Sequence, residues 1–403
     1  MTFRTIFQNR NLSLLWFGQL ISQSGDSIYQ IGLLWLVLDI SGSESITGLV
    51  AMAAYLPAVV LSLAAGVSAD RGDRRRIMLG SDVIRCLVVL LIPLLFFLDY
   101  LNPWFLAVNA FAIAIAATFF NPARDAIVPQ LVPSTGLLRA NSLIQTSWQF
   151  SLLLGPAIAG FLIHLAGNIS LFTVVSGAYA ISFLSIYLIR MQSQTAKPVS
   201  KGFGFAELKE GLTFVIRHKV LLPLLLITIA DNIFIMGPAI VGTPVLVKNN
   251  LGHGAEAYAL IQGCYAIGML IGTAGLLWVG NKFGKGKILL TGMFFDGLTF
   301  IPIFWVQSIS ALAIIIVIHS LAIPLLTISR TSMIQNIVPE HLTGRVFALV
   351  NLSVVGMSAI SAGITGFVVE AIGVKPLFLV IGIGGTLCGC IGWIFAKKLK
   401  IMA

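Results

Sequence analysis

Apolar runs of about 20 residues recur along the whole chain, and that is the length a helix needs to cross ~30 Å of hydrocarbon. Backbone polar groups must be paired inside lipid, so each run is expected to be a helix. A closed barrel would need alternating polarity, which the runs lack. The rest of the chain agrees. It is 58% hydrophobic and only 10% charged, with a mean hydropathy of +0.98. A soluble domain carries about 25% charged residues. The pattern predicts an all-α membrane protein with twelve spans. These run over 12–38, 45–66, 77–98, 104–126, 138–164, 170–190, 220–246, 257–279, 287–305, 309–330, 343–369 and 376–396. The N-terminal segment from Arg4 to Arg10 is too polar for a cleaved signal, so the first span is read as retained.

Charge sets the orientation. The net charge of +10 sits in short segments between spans, which points to membrane topology and away from nucleic acid. With both termini inside, Lys248 and Lys375 fall outside and Arg85 just inside span 3. The remaining 22 of the 25 Lys and Arg face the cytosol. That makes the chain multi-pass with both ends cytoplasmic.

The longest polar connection, 191–219, divides the chain into two six-span bundles, 1–190 and 220–403. It opens as a loop and continues from Phe205 to Arg217 with apolar residues at helical spacing, an amphipathic helix at the cytosolic surface. The two halves repeat. Arg124, Val132-Pro133, Arg139, Gly160 and Gly167 recur as Arg330, Val338-Pro339, Arg345, Gly366 and Gly373, each 206 residues later. Asp26 and Asp231 correspond at an offset of 205. Two six-helix bundles related by such a repeat are a recurrent transporter plan.

Charges inside spans are expensive and mark candidate sites. Asp26 lies about halfway along span 1 and Asp231, followed by Asn232, about halfway along span 7. Each can be a proton carrier or a hydrogen-bonded structural carboxyl. Asp296 in span 9 reads as a structural pair member, and His319 in span 10 as a satisfied core residue. Asp82 and Arg85 are three apart, a helical contact spacing. They read as partners of the polar stretch just before them, Gly66-Val-Ser-Ala-Asp70-Arg71-Gly-Asp73-Arg74-Arg75-Arg76. Cys86, Cys264, Cys388 and Cys390 all lie in apolar runs and read as packing residues. No phosphate-binding loop, metal-ligand cluster or nucleophile elbow stands out, so neither an enzyme nor a cofactor is expected.

The stretch Gly66-x-x-x-Asp70-Arg71-x-x-Arg74-Arg75 resembles the signature loop between spans 2 and 3 of the major facilitator superfamily. It departs from the usual pattern in having Asp73 where a glycine is normal, with Gly72 one place earlier. That variant resembles the macrolide-efflux branch. So do the segments Asn121–Pro133 and Pro339–Phe347. The segment Leu153-Leu-Gly155-Pro156-Ala-Ile-Ala-Gly160 resembles the antiporter motif of exporters in this superfamily. The alternative is a generic helix-packing stripe, although the matching positions in the second half are Ser361 and Ala362.

The resemblance implies several roles. Asp26 and Asp231 would flank a central cavity as proton-coupling residues. The cavity would be lined from Trp16, Tyr29, Trp35, Gln145, Trp148, Gln149, Asn232, Phe234, Gln262 and Tyr265, a mix of aromatics and amides suited to a large amphiphilic substrate. Some of these can equally be packing or belt residues. A cytosolic latch would involve Gly66, Asp70, Arg71, Arg74, Arg75, Asp82, Arg85, Arg124, Arg139, Arg330 and Arg345. The implied function is a proton-coupled exporter of lipophilic drugs such as macrolides, acting as a monomer among membrane lipids. Siderophore export and lysophospholipid flipping are the alternatives. A non-transporting membrane sensor is the alternative of a different class.

Overall fold

The computed structural model describes residues 9–133, 136–190, 205–279 and 283–402. Among these the regular structure is entirely helical, with no strand. The first half holds α1 (Arg10–Ser41), α2 (Glu44–Arg71), α3 (Arg74–Phe97), α4 (Pro103–Leu131), α5 (Leu137–Ala166) and α6 (Ser170–Tyr187). A short helix α7 (Phe205–Arg217) follows, and residues 191–204 of the expected 191–219 linker lie outside the described residues. The second half holds α8 (Leu221–Asn250), α9 (Ala255–Val279), α10 (Lys285–Leu298, extended by a 3₁₀ turn Ile301–Trp305), α11 (Ile309–Ile337), α12 (Glu340–Ile372), α13 (Val374–Phe395) and a final turn α14 (Lys397–Lys400).

Eleven of these helices are long and apolar enough to span a membrane. The sequence reading expects twelve. The helix that falls short of the criterion is α1, although it is 32 residues long. Its middle carries Gln19, Ser22, Gln23, Ser24, Asp26, Ser27 and Gln30, which dilute its hydropathy, and Gln19, Ser22 and Ser24 among them are buried.

Local signals explain the helix boundaries. The side chain of Asn9 accepts from Leu12 N–H at the start of α1. Asp73 does the same for Arg76 N–H at α3, and Asn102 for Phe105 N–H at α4, where Pro103 occupies the first helical position. The repeated Val-Pro pairs are helix stops. Val132 and Val338 are both extended because a proline follows them, and α4 and α11 end one residue earlier. The repeated Gly167 and Gly373 close α5 and α12 with φ of +75° and +84°, a left-handed cap that side chains disfavour.

The chain divides into two compact units. The first holds the described residues up to Ile40 and from Leu56 to 190. The second holds Ser41–Tyr55 and the described residues from Phe205 onward. The first part of α2, up to Tyr55, therefore belongs to the second unit. There Gly48 meets the Ala362 carbonyl of α12, Asn249 donates to Glu44 at 2.7 Å, and Ser45 hydrogen-bonds Glu370.

In the first unit α3 packs on α4 and α6. Gly18, Gly25 and Gly32 form a seven-residue stripe that lets α1 approach Ser185, Ala178 and Leu171 of α6. Leu12, Leu15, Met78, Phe120, Ile127 and Ile186 belong to one apolar cluster in its core. In the second unit α9 packs on α11, α10 on α11 and α13, and α8 on α12. The amphipathic α7 inserts Val215 into that unit's core beside Leu221, Met333 and Val346.

The middle of α8 is irregular. Pro238 and Pro244 lack an N–H, and the helix widens into π turns over Pro238–Gly242 and Leu246–Asn250. Just before the first of these, Ser361 of α12 sits between the Gly237 N–H and the Ile233 carbonyl. Its hydroxyl accepts from the former at 2.8 Å and donates to the latter at 2.6 Å. The missing side chain at Gly237 is what makes room for it.

Candidate functional site

Asp26 and Arg85 meet in the interior of the first unit. Arg85 is 2% exposed and lies between two carboxylates. Its Nη2 is 2.5 Å from Asp82 Oδ1 and its Nη1 is 3.6 Å from Asp26 Oδ1. The guanidinium is sandwiched by the Phe120 and Tyr179 rings, at 4.4 and 4.6 Å from their centroids. Such stacking suits a weakly hydrated planar cation. Tyr179 donates its hydroxyl to Asp26 Oδ1 at 2.6 Å, and Ser182 donates to Asp82 Oδ2 at 2.7 Å. Asp82 is wholly buried, whereas the Asp26 side chain is 41% exposed. The site thus has a sealed side at Asp82 and an accessible side at Asp26. It carries two acidic groups against one cation, and Asp26 is the exposed one of the two.

Asp82 and Arg85 are paired with each other, and the residues they contact are Asp26, Tyr179 and Ser182. Two arginines of the Gly66–Arg76 stretch, Arg74 and Arg75, reach helix carbonyls of their own unit. Arg74 donates to the Ala69 and Ala126 carbonyls at 3.2 and 3.0 Å. Arg75 donates to Ile186 and Tyr187 at the end of α6, at 3.2 and 2.5 Å. Helix C-termini carry unpaired carbonyls and partial negative charge, so cations are stabilising there. Asp70, Arg71 and Arg139 are exposed, and a side chain at Gly66 would meet open space. Arg124 pairs with Asp125 at 2.8 Å and reaches Gln19 at 3.5 Å.

Gly155 lies beside the site. A Cβ there would stand 2.4 Å from Ser27 Cβ, so only glycine lets α5 run this close to α1 next to Asp26. Pro156 is buried immediately after it, and Gly160 follows a turn later.

The second unit holds a comparable group. The Asp231 carboxyl of α8 and the Asp296 carboxyl of α10 lie within hydrogen-bonding reach of each other, and Arg330 of α11 acts on Asp231 through its charge. Asp296 is 1% exposed. His319 Nδ1 lies 3.6 Å from Asp296 Oδ1 and hydrogen-bonds Thr299 Oγ1 at 2.9 Å, while its ring stacks on Phe300 at 4.3 Å. Arg345 is drawn elsewhere, to a 2.5 Å ion pair with Glu210 of α7.

The expected cavity residues separate. Gln145 and Trp148 are exposed on α5, and Gln149, Phe234, Gln262 and Tyr265 are partly exposed. Tyr29 and Asn232 are buried. Tyr29 donates to Asn109 at 2.9 Å and packs edge-on against Phe172, and Asn232 donates to the Thr228 carbonyl of its own helix at 2.8 Å. Trp35 is buried too. Tyr179, Ser182 and Phe120 escape the sequence reading, since an aromatic or serine in an apolar run carries no distinguishing mark. Among the described residues the four cysteines are free, and no group of His, Cys, Asp and Glu could hold a metal ion.

Helical bundles with charged constellations buried at mid-span define a polytopic membrane transporter, and similarity to known proteins narrows the class. Residues 4–400 match the family described as transmembrane secretion effector, within the major facilitator superfamily, and the chain belongs to it. The chain is 27% identical to the multidrug efflux pump Tap of Mycolicibacterium fortuitum over 96% of both proteins. It is 26% identical to macrolide efflux protein A of Streptococcus pyogenes over 94% of this chain and 93% of that one. The fold is shared with a bacterial homologue of the lysosomal transporter Spinster, solved inward-facing and unoccupied (TM-score 0.78, 14% identity, 98% of each chain). It is also shared with the nucleoside transporter NupG (TM-score 0.80, 10% identity, 96% of this chain and 99% of that one).

Proposed function

We propose that this efflux-family membrane protein is a proton-coupled exporter of lipophilic drugs such as macrolides. It works by alternating access in a bacterial plasma membrane, as a monomer with both termini in the cytosol. The observation that carries the reading is Asp26, a mid-span carboxylate that is accessible on one side and tethered on the other to Tyr179 and to a buried Arg85. Protonation of Asp26 removes one of the two charges that hold Arg85. The guanidinium is then left to Asp82, and the tie between α1 and α3 loosens. Loss of the proton restores it. A proton moving inward across 100 mV releases ~2.3 kcal/mol. A tenfold gradient of a neutral substrate requires about 1.4 kcal/mol, so one proton per substrate suffices. Macrolides and other lipophilic drugs are supported by the two relatives named for multidrug and macrolide efflux. The exposed Asp70 and Arg71 remain available for the cytosolic latch that the superfamily resemblance implies.

The test is transport of radiolabelled erythromycin in proteoliposomes under an imposed pH gradient. Uphill transport by the wild type and its loss in Asp26→Asn, with the variant still folded, is the expected result. Full uphill transport by Asp26→Asn would remove Asp26 from the coupling.

A further inference from the structure

The second unit buries two neighbouring acids, Asp231 and Asp296, with one arginine, Arg330, acting on the pair. Asp231 Oδ1 and Asp296 Oδ1 are both buried with no hydrogen-bond donor. The two carboxyls nevertheless lie within hydrogen-bonding reach of each other. An ionised carboxylate only accepts, so two of them cannot bond. They also repel strongly where water is excluded. One proton between the two resolves both problems. It supplies the missing donor, and it leaves one negative charge opposite Arg330.

The groups around the pair do not offer another solution. His319 from α11 is 3.6 Å from Asp296 Oδ1, beyond hydrogen-bond distance, and its Nδ1 is engaged with Thr299. Tyr265 from α9 lies within electrostatic reach of Asp296, and Cys388 from α13 within reach of Asp231. Neither carries a positive charge. Arg330 is the cation that faces the pair, and it acts on Asp231.

We infer that Asp231 and Asp296 hold one exchangeable proton in a shared hydrogen bond, and that Asp296 is therefore a second coupling carboxyl of this unit. Coupling here then belongs to the α8–α10 contact rather than to Asp231 alone. Removing the proton leaves two charges against one arginine and drives the two helices apart, whereas restoring it draws them together. The inference rests on the proton-coupled reading above, but the shared proton can be tested apart from it.

The test has two arms on the full-length protein. The first is infrared spectroscopy of purified protein titrated with pH, following the carbonyl stretch of buried protonated carboxyls. The expected result is a band in the wild type that disappears in one step as pH rises. It should be altered by both Asp231→Asn and Asp296→Asn and retained in Asp26→Asn. A band unchanged in Asp296→Asn, or no such band in the wild type, would overturn the shared proton. Asparagine keeps the shape and supplies a permanent donor, and a melting curve establishes that each variant is folded. Should Asp296→Asn not fold, Asp296→Glu takes its place and should shift the titration step. The second arm is erythromycin transport driven by a pH gradient, with loss of at least tenfold expected in each Asn variant. Loss in Asp231→Asn with full transport in Asp296→Asn would overturn the role of Asp296 while leaving proton coupling intact. An altered band in both variants with transport unchanged in both would leave the shared proton standing and overturn its part in coupling.

Discussion

Arg85→Met is the most demanding perturbation of the first-unit site. Methionine keeps the length and the apolar stem of arginine and can still pack between the Phe120 and Tyr179 rings. What disappears is the charge. Asp82 is wholly buried and loses its 2.5 Å partner, keeping only Ser182. Removing one member of a buried pair costs about 3–5 kcal/mol, because the survivor is an uncompensated charge. Asp26 adds little to this cost, since its side chain is 41% exposed and can be solvated. The double variant Arg85→Met/Asp82→Asn removes both charges and leaves an amide that Ser182 can still bond. It should regain most of the loss and remain about 1–2 kcal/mol below the wild type, the amount expected from the missing cation–π stacking. Equilibrium unfolding in mixed detergent micelles measures both variants. A single variant as stable as the wild type, or a double variant no better than the single, would refute the argument that the uncompensated Asp82 charge dominates.

Three further outcomes follow from close contacts. Gly155→Ala places a Cβ 2.4 Å from Ser27 Cβ and should destabilise by about 1–3 kcal/mol while reducing export; Ser27→Gly in the same chain should restore a large part of both, as read by melting and by drug accumulation in cells. Ser361→Ala empties the bridge between Gly237 N–H and the Ile233 carbonyl and should cost about 1–3 kcal/mol in the same unfolding assay. The Glu210–Arg345 pair is partly exposed, at 57% and 24%, so a double-mutant cycle on it should give a coupling of under about 1 kcal/mol that falls with added salt.

Much of the architecture is readable in the sequence because membrane spans are written in local composition. Run length gives the spans, and the repeated Val-Pro and glycine positions turn out to be helix stops and left-handed caps that the local backbone demands. Span 1 is legible as well, although its hydropathy is diluted by polar residues, of which Gln19, Ser22 and Ser24 are buried. The positions of Asp26 and Asp231 are equally visible, since an acid in an apolar run stands out. Their partners are not. Tyr179 is 153 residues from Asp26, and Asp296 is 65 positions from Asp231, so which residues meet depends on helix rotation and crossing angle. The pairing of Asp82 with Arg85 is legible from their spacing, but the direction in which the pair points is set by the packing of α3 on α4 and α6. Tyr29 and Asn232 look like cavity residues because their spans are expected to line a cavity, yet rotation about each helix axis turns both inward.

The central claim is that substrate and protons move in opposite directions through one protein. Proteoliposomes loaded with a pH-sensitive dye, given an erythromycin gradient and no pH gradient at the start, test it directly. The account predicts that drug flow drives protons the other way, with the pH change abolished in Asp26→Asn. Drug movement with no change in internal pH, in wild-type protein oriented and sealed as shown by controls, would contradict it.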